Sequence, residues 1–163
     1  MRERLGVLAG LTLLLLTTAV RAAEPVYEAS AAMAMDSAYP AVREALEERR
    51  FFVVFEANMG DTLARFAERW GEDYNRNALD GIRSMVVCNA WYTNQVSNLD
   101  PRMLALCPLR VVLVSKEGTT RALFARPTAV AGDSPAARVL KEAEETIIEA
   151  IREGLGAAPD GSP

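Results

Sequence analysis

Two cysteines and no histidine limit the side-chain chemistry open to this 163-residue chain. Thiol, disulfide or soft-metal chemistry must run through Cys88 and Cys107. Both lie in one stretch, Met85 to Val114. An apolar strand ends there in Cys88-Asn89, an aromatic pair Trp91-Tyr92 follows, then an Asp100-Pro101 step, and Cys107-Pro108 leads into a second apolar strand. Three uses of the two sulfurs stay open. They form one intrachain bridge, closing a loop of about 19 residues and adding roughly 3 kcal/mol in the chain-entropy estimate. They pack apart as small hydrophobes. Or they anchor a metal or a covalent cofactor. Geometry separates the first two, because a bridge needs Cα atoms within about 7 Å. If the two flanking strands are antiparallel neighbours, the sulfurs can meet; if parallel, they lie a strand length apart, roughly 20 Å.

The segment after Cys88 is the most site-like. Asn89, Trp91, Tyr92, Asn94 and Gln95 gather two aromatics and three amides behind a buried strand. Strand-to-helix turns expose backbone N–H groups, and aromatics with a few polar groups line small-molecule pockets. The competing reading is that Trp91 and Tyr92 cover the sheet edge while Asn89 caps a helix. Acids are grouped in a polar loop as Glu72-Asp73 and Asp80, where solvation is the ordinary role. Arg83 and Arg110 are candidate rim charges. Without histidine, Ser-His-Asp chemistry and histidine acid–base work are excluded. Two sulfurs do not complete a zinc site, which takes three or four protein ligands. Met33, Met35, Met85 and Met103 are scattered and read as core filler, so no metal and no cofactor is expected. No Cys-x-x-Cys, Walker loop or glycine-rich dinucleotide fingerprint occurs.

The elements that position these residues follow from the wider sequence. Arg2 and Arg4 precede an apolar run from Leu5 to Val20, with a small-residue exit at Ala22-Ala23. That layout predicts a secretory signal peptide over residues 1–22, short for a bilayer span, and a periplasmic or secreted protein. Retention as an anchor is the alternative. About 140 residues then remain, enough for one domain with a core. Hydrophobic residues make up 50% and charged residues 25%, and the net charge is −4 with no basic run. A basic face for phosphates is missing, so nucleic acid is not an expected partner. No second segment is apolar enough to span a membrane.

Hydrophobic periodicity predicts a strand near Tyr27–Met33 and a helix from Asp36 to Arg49, with Asp36 or Ser37 as its cap and Pro40 in its first turn. Phe51–Phe55 reads as a buried strand. Asp61 caps a second helix with Leu63, Phe66, Ala67 and Trp70 on one stripe, closed by Gly71. Further strands follow at Ile82–Cys88, Leu109–Ser115 and Thr119–Ala125, the last two joined by a Glu117-Gly118 turn. Asn89 and Asp100 cap short turns between them. Ser134-Pro135 opens a last helix with Val139, Leu140, Ala143, Ile147, Ala150 and Ile151 as its apolar stripe. This order predicts an α+β fold: a mostly antiparallel sheet of about five strands with helices on one face. The single domain spans residues 26–152, and residues 153–163 form a frayed tail.

These residues resemble the bacterial family called domain of unknown function 302. The resemblance is carried by the opening strand-helix-strand, Val87-Cys88-Asn89, Asp100-Pro101, a Cys/Pro pair before Leu109-Arg110-Val111-Val112-Leu113, and the closing hairpin and helix. Two positions depart from the family's pattern. Ala90 stands where the family has a proline after Cys-Asn, and Cys107-Pro108 stands where it has Pro-Cys. The second change moves the sulfur by one residue, which in a strand swaps faces. The resemblance implies the fold and an exported class, and no activity. The expected function is therefore an exported, non-enzymatic binding or accessory domain for an unidentified small molecule or protein. A thiol/disulfide or cofactor-anchoring role for Cys88 and Cys107 is the alternative. A structural subunit forming a homodimer through an exposed strand edge is the third reading.

Overall fold

The computed structural model describes residues 24–156. The predicted signal segment and the end of the predicted tail lie outside them. Among the described residues no helix is long and apolar enough to cross a membrane.

Five strands form one sheet in the order β1-β5-β4-β3-β2. They are β1 (Val26–Ala31), β2 (Phe52–Asn58), β3 (Gly81–Cys88), β4 (Leu109–Lys116) and β5 (Thr119–Ala125). Every neighbouring pair is antiparallel. Two helices, α1 (Met35–Glu48) and α6 (Ala137–Gly154), pack together on one face. The expected α+β architecture is therefore the observed one.

Strand alternation assigns the core. Met85, Val87, Val111, Leu113, Ala122 and Phe124 point to the helices and are buried. Val42 and Leu46 of α1, with Ile147 and Ile151 of α6, close over them. Fully burying a side chain of this kind contributes about 1.5–3 kcal/mol. All six residues of the expected α6 stripe are buried. Helix α6 runs to Gly154, and Leu155 behind it is buried, so the folded chain extends past residue 152 and the tail boundary moves outward. Gly154 lies in the helix against α1, where a Cβ would stand 2.5 Å from the Cα of Val42.

The β4–β5 turn follows its sequence signal. Glu117 and Gly118 both have positive φ, 49° and 75°, the conformation of the favoured two-residue hairpin turn. Helix α1 starts one residue early and without a side-chain cap: Ala34 holds the capping position, and Pro40 lies inside the helix rather than in its first turn.

The strand β2 is not buried. Phe52 and Phe55 are 56% and 62% exposed. It is an edge strand, and among the described residues no helix buries the outward side chains of this strand. Its pairing with β3 shifts between Val53 and Phe55, a bulge that twists the edge. After β2 come α2 (Met59–Ala64), α3 (Ala67–Trp70) and a single turn, Gly71–Asp73. The expected long helix is broken here, and Asn58, not Asp61, caps α2. Its apolar stripe is not a core stripe, since none of these three elements contains a buried residue.

Helix α4 (Ala90–Leu99) and a 3-10 helix, Pro101–Leu106, link β3 to β4. Val96 of α4 joins Leu140 of α6 in a second small core. A short α5 (Thr128–Ala131), which the sequence did not announce, follows β5. Buried Glu144 of α6 ties it down. Its carboxylate accepts from Arg126 Nη1 at 2.9 Å, Thr128 N at 3.1 Å and Thr128 Oγ1 at 2.5 Å.

Candidate functional site

The antiparallel pairing of β3 with β4 sets Val87 opposite Leu109. Cys88 and Cys107 therefore share one corner of the sheet. Both are free thiols in this structure, and the antiparallel topology brings the two ends together. Thr93 mediates at this corner: its Oγ1 lies 3.6 Å from Cys88 Sγ and donates to the Asn89 carbonyl at 3.0 Å. Burial pushes the Cys107 thiol above its ordinary value, the nearby Cys88 adds to this, and a hydrogen bond with Thr93 works against it. A thiol held protonated is a poor nucleophile and a poor soft-metal ligand at neutral pH. Among the described residues, no group of three or more histidine, cysteine or carboxylate side chains is placed to hold a metal ion.

The Asn89–Gln95 segment is largely occupied with structural work. Asn89 caps α4, its Oδ1 accepting from Trp91 N at 3.0 Å and Tyr92 N at 3.3 Å. The Tyr92 ring stacks on Phe51 with centroids 5.6 Å apart. Trp91 is 67% exposed, and Asn94 is exposed beside it. Gln95 is partly buried. The void beside Asn89, Tyr92 and Cys107 is about 20 Å³, room for roughly one water. The five residues do not converge on a ligand-sized cleft.

A cleft of ligand size opens at the opposite end of β3. Its volume is about 660 Å³, within the range of roughly 300–1,000 Å³ that holds small molecules. The start of α1, Asn58 and α2, the stretch 74–80, and Gly81–Arg83 enclose it. Local geometry explains each wall. Asn58 Oδ1 accepts from Asp61 N at 3.1 Å and its amide donates to Asp61 Oδ2 at 2.7 Å, turning the chain out of β2. Asn75 folds the next stretch by donating to the Leu79 carbonyl and accepting from Leu79 N, each at 2.9 Å. Asp80 Oδ2 accepts from Glu117 N at 2.7 Å, fastening that stretch to the β4–β5 turn. The carboxylates Asp61 and Asp80 thus already hold hydrogen bonds.

Arg83 differs from them. It lines the cleft, and its guanidinium carbon lies 3.7 Å from the centroid of the Tyr39 ring. No carboxylate pairs with it in the described part of the chain. Tyr39 is itself anchored, donating from its hydroxyl to the Ser84 carbonyl at 3.3 Å. Burial, then the hydrogen bond and charge of Glu56, push the Tyr39 phenol up to about 12. The ring stays neutral, and the pair offers a planar guanidinium fixed against an aromatic face. Such a fork matches a carboxylate or phosphate edge.

Of the residues singled out in the sequence, Asp80, Arg83 and Met35 line this cleft, together with Asp36 and Asp61, which were read as helix caps. Glu72, Asp73 and Arg110 do not line it, and the 88–95 cluster lies at the far end of β3. Tyr39, Asn58, Tyr74, Asn75 and Asn77 were missed. The available signal was the density of amides and glycine around Asn58–Asp61 and Asn75–Gly81, which marks turns rather than strands.

The family described as Domain of unknown function DUF302 matches the chain over residues 27–154. No curated protein matches it. Among solved structures, it is similar to an uncharacterized conserved DUF302 protein from Bacillus stearothermophilus. The TM-score is 0.69 at 19% identity, over 80% of this chain and 98% of that one. At that identity the likeness concerns the fold alone.

Proposed function

This chain belongs to the DUF302 family, and on that premise we propose that it is an exported, non-enzymatic binding domain for a small organic anion, held in the cleft at the start of β3. The observation that carries this reading is Arg83, a guanidinium without an ion-pair partner among the described residues, fixed on Tyr39 in the wall of a cavity of about 660 Å³. The amides of Asn58, Asn75 and Asn77 and the Tyr74 ring supply the surrounding polar and aromatic surface. The outer wall, α2 through residue 80, is made of elements that bury little, and binding elements are drawn from such low-stability regions. Asp61 and Asp80 serve the backbone, which supports binding over turnover.

Export rests on the basic start and apolar run of residues 1–22. The amino-terminal residue of the protein recovered from its own compartment tests it: cleavage after Ala22 or Ala23 supports export, and an intact Met1 on a cytosolic protein contradicts it.

The binding reading is tested by thermal shift against a panel of small mono- and dicarboxylates, with wild type and Arg83→Met side by side. Saturation at a hundredfold excess over Kd stabilises the fold by about 2.7 kcal/mol, a rise on the order of 10 °C for a domain of this size. At least one carboxylate should shift wild type and leave Arg83→Met unmoved. An equal shift in both proteins, or none across the panel, contradicts the assignment.

A second reading, a dithiol cycling with a disulfide, is favoured only by the shared corner of Cys88 and Cys107. The raised Cys107 thiol weighs against it.

A further inference from the structure

The sheet has a second face, and strand register identifies it. Phe55 pairs with Val86, Val86 with Arg110, and Ala125 with Val26. One step along, Ser84 pairs with Val112, Val112 with Leu123, and Leu123 with Glu28. These residues alternate with the core residues and so point away from α1 and α6. Phe55, Val86, Val112, Leu123, Ala125 and Val26 among them form an apolar belt from one edge of the sheet to the other, interrupted by Arg110 and Glu28, with a groove of about 630 Å³ running along Val26, Val86, Val112 and Leu123.

We infer that this face packs against the same face of a second copy of the chain. Aromatic side chains carry about 200 Å² and branched aliphatic ones somewhat less. The exposures of Phe52, Phe55, Val54, Val26 and Val130, with the half-buried valines and Leu123 between them, leave on the order of 500 Å² of apolar surface. A stable dimer covers about 800 Å² per partner, roughly 65% of it apolar in the buried core, which is the same quantity. The surface is also at the upper end of what a monomer exposes in one patch.

Charge points the same way. Arg121 is paired with Glu28 at 3.0 Å, and Lys116 donates to the Asn77 carbonyl at 3.0 Å. Arg126 also lines the groove and is paired with buried Glu144 at 2.9 Å. Among the described residues Arg110 is then the cation of the face left without a partner, too little for a polyanion or an anionic lipid surface and compatible with a nearly neutral copy of the same face. A two-fold axis makes one self-complementary patch sufficient for both partners. The bulge at Val53–Phe55 twists the β2 edge away from regular pairing, so the contact is face to face and not the edge-to-edge pairing of the third sequence reading. Two sheets meeting this way stand about 10 Å apart, as in a sandwich.

The test is sedimentation equilibrium of the mature chain at tens of micromolar, for wild type and Phe55→Glu. Phe55 is on the surface, so the substitution leaves the core intact, and circular dichroism checks that it does. Wild type should sediment as a dimer, and Phe55→Glu should dissociate about a hundredfold more readily. A monomeric wild type, or a Phe55→Glu dimer as tight as wild type, overturns the inference. Phe55 does not line the cleft, so the carboxylate response of Phe55→Glu reports on that site independently.

Discussion

The Arg83 guanidinium carbon lies 3.7 Å above the Tyr39 ring, joining the middle of α1 to the start of β3. Tyr39 is 3% exposed and Arg83 is half-buried. The contact therefore does two things: it closes the end of the core, and it leaves one edge of a fixed cation facing the cleft. Arg83→Met keeps an apolar stem over the ring and removes the charge. The expected outcome is a melting temperature close to wild type with carboxylate binding lost. A collapse of the fold in Arg83→Met, seen by circular dichroism, would mean the contact is structural first.

Tyr39 sets an alkaline limit on stability. Its phenol has an ordinary value of 10.0 and is pushed up to about 12 in the fold, so the fold favours the neutral form. The stabilisation is fully present below pH 10 and is lost as the pH rises through about 12. Tyr39→Phe cannot ionise, and its stability should fall less over that window than that of wild type. Urea denaturation across the window measures this, and parallel pH profiles for the two proteins would contradict it.

Gly154 lets α6 approach the backbone of α1 closely. A Cβ there meets backbone, 2.5 Å from Val42 Cα and 2.7 Å from Val42 N, and backbone cannot rotate aside. Gly154→Ala should destabilise the domain by about 3 kcal/mol, despite alanine's better helix propensity. Chemical denaturation reads the change. A variant as stable as wild type would show that the helices separate at little cost.

The thiols give a contrasting expectation. They are free, and burial holds the Cys107 proton on. Cys107 should alkylate more slowly than a free cysteine at neutral pH, and Cys88→Ser should change stability by no more than about 0.5 kcal/mol. An intact mass short by two hydrogens, with a loss of several kcal/mol in Cys88→Ser, would instead identify a bridge.

Ile147 faces the sheet from the centre of α6 and is fully buried. Ile147→Asp places a charge there without a partner and should cost more than about 4 kcal/mol, enough to abolish cooperative melting.

Periodicity carried most of the fold. The α6 stripe, the β4–β5 hairpin with its Glu117-Gly118 turn, and the Asn89 and Asp100 caps were readable because each is a local rule. Phe51–Phe55 shows where that stops. Five apolar residues in a row look buried, yet whether the second face of a sheet is covered depends on helices elsewhere in the chain. Phe51 is in the core, whereas Phe52 and Phe55 are exposed. Glu144 is the converse, a carboxylate inside an apolar stripe that is buried because Arg126 and Thr128 come to it from another element. The cleft was harder still. Met35, Asn58, Asn75, Arg83 and Ser115 approach one another only after the sheet is assembled, and none carries a motif. The cysteine-rich corner drew attention because its residue types are reactive in general, but here burial and capping use them up.

The most direct measurement is a nitrogen-labelled NMR titration with whichever carboxylate raises the melting temperature. Shift changes should concentrate on the amides of Asn58–Ala64, Asn75–Arg83 and the Arg83 side-chain Nε. Changes centred instead on Cys88–Gln95 and the Trp91 indole, with residues 74–83 unmoved, would contradict the placement of the site.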